Sequence, residues 1–417
     1  LSNNDSTITS FNLEKELTIS GDHTLNSSID VKANGTLSIS ASTTLAGTLK
    51  YTDGTTITNS GTISADLDID KTVTIGGTVT STTIDIASGA TLTHDLQVPA
   101  GTVTVSGSGI LSAVTLTDAT SKLVLDGENT VTEISSIVSG ATLDSYNGIS
   151  TITNSFTLTD KILNIISELE FNDLAMSGIS TLNIYGTLSG SLNVMSNSTS
   201  TITIADHTDI GTISSALVIN EDVTINTGLV TSTSVTIADD KTLNHNLRVG
   251  TDGATVTGPG TLSAATLTAA DSNLKLNSVT VSDLTVSVDN ATVDVLADST
   301  ISGLNLTKKL NLVGSNTLTG DNTIINTGGE LSIGSDTTLG GTTNVNVGTL
   351  TNAGTVVGDL QYTSGTITNT SGTISAALDI DGDVTIGGTV ETTSVNFASG
   401  TMLTINDAQR FNSDFTK

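Results

Sequence analysis

The chain contains no cysteine and no tryptophan, and its 417 residues include only six phenylalanines and four tyrosines. Without cysteine there is no disulfide framework, and the redox compartment stays open. Basic residues are also scarce, 13 Lys and Arg against 42 Asp and Glu, for a formal charge of −29. Such a surface repels a nucleic acid or an anionic membrane rather than steering it in, so neither is expected as a partner. The only basic doublet is Lys308-Lys309. Apolar runs never exceed a few residues, which leaves no membrane-spanning helix. The sequence opens at Leu1 with no charged and hydrophobic leader, as a trimmed or partial chain would.

What the chain does have is a repeat. The stretch GTISADLDIDKTVTIGGTVTSTTIDIASGATLTHDLQV, from Gly61 to Val98, returns from Gly211 and again from Gly372. Leu67, Ile69, Val73 and Ile75 recur as Leu217, Ile219, Val223 and Ile225 at an offset of 150. After the Gly76-Gly77 turn the offset becomes 151, with Val230 opposite Val79 and His245 opposite His94, so one residue is inserted at the turn. Tyr362, Leu378, Ile380, Gly387 and Gly388 follow Tyr51, Leu67, Ile69, Gly76 and Gly77 at an offset of 311. Self-similarity on this scale is the mark of a stacked array with one long core, in which length does not count domains.

Within the repeat, short apolar/polar alternations (LTIS, SIDV, TLSIS, LDID, VTIG) are punctuated by Gly, Asn, Asp and Ser. Period two means strands with one buried face. Leu67, Ile69, Val73 and Ile75 then point inward, as do Leu378, Ile380, Val384 and Ile386. Similar strings recur about every 19 to 20 residues in places, the size of a coil with two or three short strands. The spacing is too variable for a hexapeptide solenoid. The expected fold is all-β: a right-handed parallel β-helix (β-solenoid) of roughly 20 coils with three related copies of a long repeat, on the order of 100 Å long at about 4.8 Å per coil. The copies lie near 61–125, 211–276 and 372–405. The chain divides into an N-terminal segment or cap at 1–16, a solenoid over 17–405, and a C-terminal cap or assembly segment at 406–417. The run Asp160 to Ser177, which lacks Gly and Thr, fits further strands as well as a short helix laid on the rod.

Several constellations bear on chemistry. Asp66, Asp68 and Asp70, and again Asp379, Asp381 and Asp383, project from one strand face and would attract calcium. The second copy has Ala216, Val218 and Asn220 instead, and no D-x-[DN]-x-[DN]-G loop is present, so a solvated acidic face is the expectation and no cofactor is assigned. His94 and His245 share the parity of inward leucines, without a partner His or Cys nearby, which suits a hydrogen-bonded structural histidine facing inward or at a corner. Thr-x-Thr strings (72–74, 102–104, 115–117, 255–257) raise an ice-binding face, but their coil spacing is not constant. Seven N-x-S/T sites, Asn369 among them, are what chance gives in so Thr-rich a chain. No nucleophile, metal-protease or phosphate-loop motif occurs, so catalytic residues are expected to be none.

Strings such as NGTLSIS (Asn34 to Ser40), SGTIS (Ser60 to Ser64) and SGATLT (Ser88 to Thr93) resemble those of secreted microbial β-solenoid surface proteins, the filamentous-haemagglutinin-like and autotransporter-passenger adhesins. The resemblance implies secretion and a place outside the cell or at its surface, in adhesion, a surface layer or a fibre. A non-catalytic structural or adhesive solenoid is the leading reading. The alternative is a glycan-binding or polysaccharide-cleaving β-helix, which a groove combining carboxylates, a Lys or Arg and one of Tyr51, Tyr146, Tyr185 or Tyr362 would favour. Phe11, Phe411 and Phe415 lie outside the repeats, where they either cap the last coil or dock a neighbour end to end.

Overall fold

The computed structural model describes residues 9–195, 200–204, 212–225, 228–369, 371–392, 394–405 and 414–415. Among them there is no helix, and every strand pairing is parallel between one coil and the next. The protein is a β-solenoid. It divides into two compact units, one of residues 1–193 with 197–212 and one of 194–196 with 213–417. Phe411 and the rest of 406–413 lie outside the described residues.

In the first unit the apolar positions of successive coils fall on one another. Phe11 pairs with Ile29, Ile29 with Leu49, Leu49 with Leu67, Leu67 with Ile84, Ile84 with Val105 and Val105 with Leu125. From Ile29 to Leu125 this column is buried, as is the parallel column of Leu25, Leu45, Ile63 and Val79. Each side chain of this size contributes about 1.5–3 kcal/mol by leaving water. A coil by itself has no partner for its inward face, so the array is stable only as a stack. The segment expected to precede the first strand already supplies one, Ser10–Leu13, which pairs with Thr24–Val31.

The second unit repeats the arrangement. Leu217 pairs with Val235 and Leu378 with Val395, just as Leu67 pairs with Ile84. Leu67, Ile69, Val73 and Ile75 and their counterparts in both later copies are all buried, so the inward assignment holds. The run Asp160 to Ser177 forms strands Ile162–Ile165 and Leu169–Ser177, with Phe171 fully buried, rather than a helix.

Coil length varies from 16 residues, between Ile63 and Val79, to 22, between Leu143 and Ile165. The corners absorb the difference. At one of them Asn59 is buried, and its Nδ2 donates to the carbonyls of Gly76 (2.9 Å) and Thr78 (3.2 Å) on the next coil. Asn369 does the same to Gly387 (2.9 Å) and Thr389 (3.2 Å). The turn below must be glycine: Gly77 and Gly388 have φ of +63° and +68°, and a Cβ at Gly388 would stand 2.3 Å from the Asn369 carbonyl oxygen. Tyr51 and Tyr362 are buried in equivalent columns and donate their hydroxyls to the carbonyls of Gly54 (2.5 Å) and Gly365 (2.9 Å) three residues on.

Replacing Ile75 by Asp places an unpaired carboxylate in this stack. The expected loss is about 3–5 kcal/mol, read as a large fall in thermal midpoint. An unchanged midpoint contradicts the inward position of Ile75.

Candidate functional site

The outer face is built from the side chains between the inward ones, and a number of them pair with each other across coils. Thr52 donates to Asp30 (2.8 Å), Ser106 to Asp85 (3.0 Å), Thr115 to Asp95 (3.0 Å) and Asn396 to Asp379 (2.9 Å). Lys50, one coil before Asp68, reaches both Asp68 (2.5 Å) and Asp70 (2.9 Å), and these carboxylates hold its ammonium above the usual lysine range. Asp383 accepts from the backbone N–H of Met402 (2.8 Å) and so anchors the next coil. Two carboxylates of each acidic trio, Asp68 with Asp70 and Asp379 with Asp383, are therefore engaged in the stack, and no group of three His, Asp or Glu among the described residues is disposed to hold a metal ion. The basic doublet is likewise paired, Lys308 with Asp289 (3.4 Å) and Lys309 with Glu330 (2.8 Å).

The histidines sit at a corner. His94 Nδ1 lies 2.7 Å from the Ile75 carbonyl and His245 Nδ1 2.9 Å from that of Ile225, so Nδ1 carries the hydrogen in both. The pairing register breaks at the same place in both copies, between Leu92 and Asp95 and between Leu243 and Asn246. A bulge with its extra residue turned half outward accounts for a histidine on what looked like an inward position. In the third copy Ile405 stands in the histidine's place and pairs with Ile386 on the coil before.

The Thr-x-Thr strings do not form a ranked face. Thr102 and Thr104 are followed on the next coil by Lys122 and Val124, and Thr255 by Lys275. Threonines do stack in single file at strand starts: Thr24, Thr44, Thr62 and Thr78, and again Thr317, Thr338, Thr355, Thr373 and Thr389. Asn369 is buried at its corner, which removes it as a glycan acceptor. Of the three residues expected to cap the ends or dock a neighbour, Phe11 is half-buried and pairs with Ile29 at the edge of the first unit's core, and Phe415 pairs through its backbone with Val395.

One constellation stands apart. The strand Thr142–Tyr146 pairs Leu143 with Leu123 and Ser145 with Leu125, which turns Asp144 and Tyr146 outward. Yet Asp144 is 1% exposed, the one charged residue buried among the described residues. It is enclosed by Lys122 from the coil before (Nζ to Oδ2, 2.7 Å), by the Ser167 hydroxyl from the coil after (2.7 Å to Oδ1) and by Tyr146. Burial by itself pushes the Asp144 carboxyl up, but Lys122, Ser167 and Tyr146 together outweigh it and bring it below the usual carboxylate range. Asp144 in turn holds the Tyr146 phenol above its ordinary range. Lys122 Nζ stands 5.9 Å from the centre of the Tyr146 ring, which is itself 45% exposed. This is a carboxylate, a lysine and a tyrosine in one place, on the outer face of the first unit.

Only Tyr146 of this group is visible in the sequence as a candidate. Lys122 and Asp144 are 22 residues apart and meet only once the coil register is known. The nearest signal is an Asp beside a serine within a strand (TLDSY) whose other alternations carry Thr or Asn outside. Compared with known proteins, the chain matches no family model, no curated sequence and no solved structure.

The ion pair makes stability depend on pH. A carboxyl lowered in the folded state stabilises above its unfolded value, near pH 4, and that contribution is lost as pH falls through the lower folded value. Asp144→Asn should cost about 1–2 kcal/mol at pH 7, since Lys122 remains partly solvated, and should make the loss of stability as pH falls below about 4 shallower. Thermal melts of the two proteins across that range check it. Parallel acid limbs contradict the role of Asp144.

Proposed function

We propose that the chain is a non-catalytic, extracellular structural or adhesive β-solenoid, a component of a surface layer, an adhesin or a self-assembling fibre. The observation that carries this reading is the outer face. Thr, Ser, Asn, Asp and Lys side chains on it, such as Thr52, Ser106, Thr115, Asn396 and Lys50, are hydrogen-bonded or ion-paired to the coil before or after, which suits an ordered surface. Its acidity, 42 carboxylates against 13 bases, keeps a long β-stack soluble. The resemblance of strings such as NGTLSIS and SGATLT to those of secreted microbial solenoids supports a place outside the cell. Among the described residues no helix is long and apolar enough to cross a membrane.

Partnering end to end with further copies fits the coil edges. The strand Ser10–Leu13 pairs on one side only among the described strands, and the half-buried Phe11 lies beside that edge. An unpaired row of backbone groups next to an apolar ring is adhesive unless covered, and a contact between opposite edges propagates instead of closing. The structure is read as needing no metal for this, because Lys50 already meets Asp68 and Asp70.

Light scattering tests the proposal. The intact chain is expected to form concentration-dependent assemblies, equally with calcium or with a chelator. Removing residues 407–417 should abolish them while circular dichroism stays that of a folded β protein. An intact chain that remains monomeric at high concentration under both conditions contradicts self-assembly and makes Phe11 a simple cap.

A further inference from the structure

Among the described residues Tyr146 is the only aromatic side chain presented to solvent. Tyr51, Phe156, Phe171 and Tyr362 are buried, and Phe11, Tyr185 and Phe397 are half-buried. The solenoid does not need it there, since the ladder positions before it on the same outer rank are Asp85, Ser106 and Asp126. An exposed ring gains nothing from burial, and a polar residue would serve the strand as well.

Its surroundings hold it still. Asp144 and Lys122 engage the phenol end of the ring, and Asp144 is locked between Lys122 and Ser167. The turn that follows is fixed by three further bonds: Asn147 Nδ2 to Asp126 Oδ1 (2.6 Å), Ser145 Oγ to the Gly148 carbonyl (3.0 Å) and Ser145 Oγ to Ser150 Oγ (3.1 Å). Asn147 and Gly148 take φ of +57° and +153° to make it. Ile149, 46% exposed, stands just beyond. A ring whose position is determined by a buried ion pair and a pinned turn has lost its conformational freedom before any ligand arrives, which is the condition for binding through a small flat contact.

We propose that Tyr146 is the platform of a binding site for a neutral pyranose unit of a glycan. The C–H face of the sugar lies on the ring, whose electron-rich face attracts it, and sugar hydroxyls reach Lys122, Asn147 and Asp126 at its margin. The neutral class follows from charge. Asp144 already neutralises Lys122, and Asp126 and Glu128 flank the turn, so a uronic or sialic acid meets net negative charge with no free cation to answer it. A single ring contact of this kind binds weakly, with Kd on the order of millimolar. The role adds ligand recognition to the structural reading and does not depend on self-assembly.

The absence of tryptophan makes the test direct, because intrinsic fluorescence comes from four tyrosines, of which Tyr51 and Tyr362 are buried. The whole chain is titrated with cellohexaose, maltohexaose and the N-acetylglucosamine hexamer, and with hexagalacturonic acid for comparison, following tyrosine emission and calorimetric heat. At least one neutral hexasaccharide is expected to saturate the signal. Tyr146→Ala and Tyr146→Leu should each weaken it about tenfold with an unchanged thermal midpoint, and Tyr146→Trp should retain it. The acidic hexamer should bind several-fold more weakly and recover in Asp126→Asn. No saturation by any neutral hexasaccharide up to about 20 mM overturns the proposal, as does binding that survives both Tyr146→Ala and Tyr146→Leu. Tighter binding of the acidic hexamer overturns the assignment of ligand class.

Discussion

Everything in this molecule depends on one constraint: each coil must present its backbone and its inward side chains in register with the coil beside it. Parallel pairing supplies the hydrogen bonds, but it also carries every alternate residue to a fixed side, so a slip of one position would turn Leu67 and Ile69 out and Asp66 and Asp68 in. The penalty for that exchange is far larger than the penalty for a longer or shorter corner. Coils of 16 and of 22 residues are therefore both accommodated, and the variation is confined to turns. Asn59 and Asn369 show how: a side-chain amide stands in for the strand hydrogen bonds that the corner interrupts, and a glycine below lets the chain pass close by.

The same register governs the surface. Because the outward residues of one coil lie over those of the next, a threonine or aspartate finds a partner about 20 residues away in sequence and a few ångströms away in space. Exposed pairs of this kind each contribute little, but together they restrict the freedom of the side chains that make them. The Asp144 cluster departs from that pattern by burying a charge on the outside of the solenoid, an arrangement that costs desolvation and that the stack itself does not require. That cost is the physical reason for reading the place as more than scaffold.

How much of this was legible depended on whether the information is local. Alternation with period two assigned the inward leucines, isoleucines and valines in all three repeat copies, and the repeat itself gave the solenoid. The run from Asp160 to Ser177 was ambiguous because apolar residues two apart and four apart suit strand and helix alike, and pairing with neighbouring coils decided it. For His94 and His245 parity left two places open, inward or at a corner, and the bulge that decides for the corner is announced by nothing in LTHDLQV. Nothing in the strings TITNSG and TITNTSG marks Asn59 and Asn369 as corner residues, since their partners sit one coil on. Lys122, Asp144 and Ser167 come from three successive coils, so their meeting is a property of register and not of any segment.

The central claim is that stability runs along the stack from one coil to its neighbour, and a double-mutant cycle in the first unit tests it. Leu67 and Ile84 are in register on adjacent coils, whereas Leu67 and Leu125 occupy the same column three coils apart. With alanine at each position alone and in pairs, unfolding free energies should show a coupling of about 0.5–3 kcal/mol for Leu67 with Ile84 and additivity within about 0.5 kcal/mol for Leu67 with Leu125. Additivity for the adjacent pair, or equal coupling for the distant one, would contradict the stacked architecture as the source of stability.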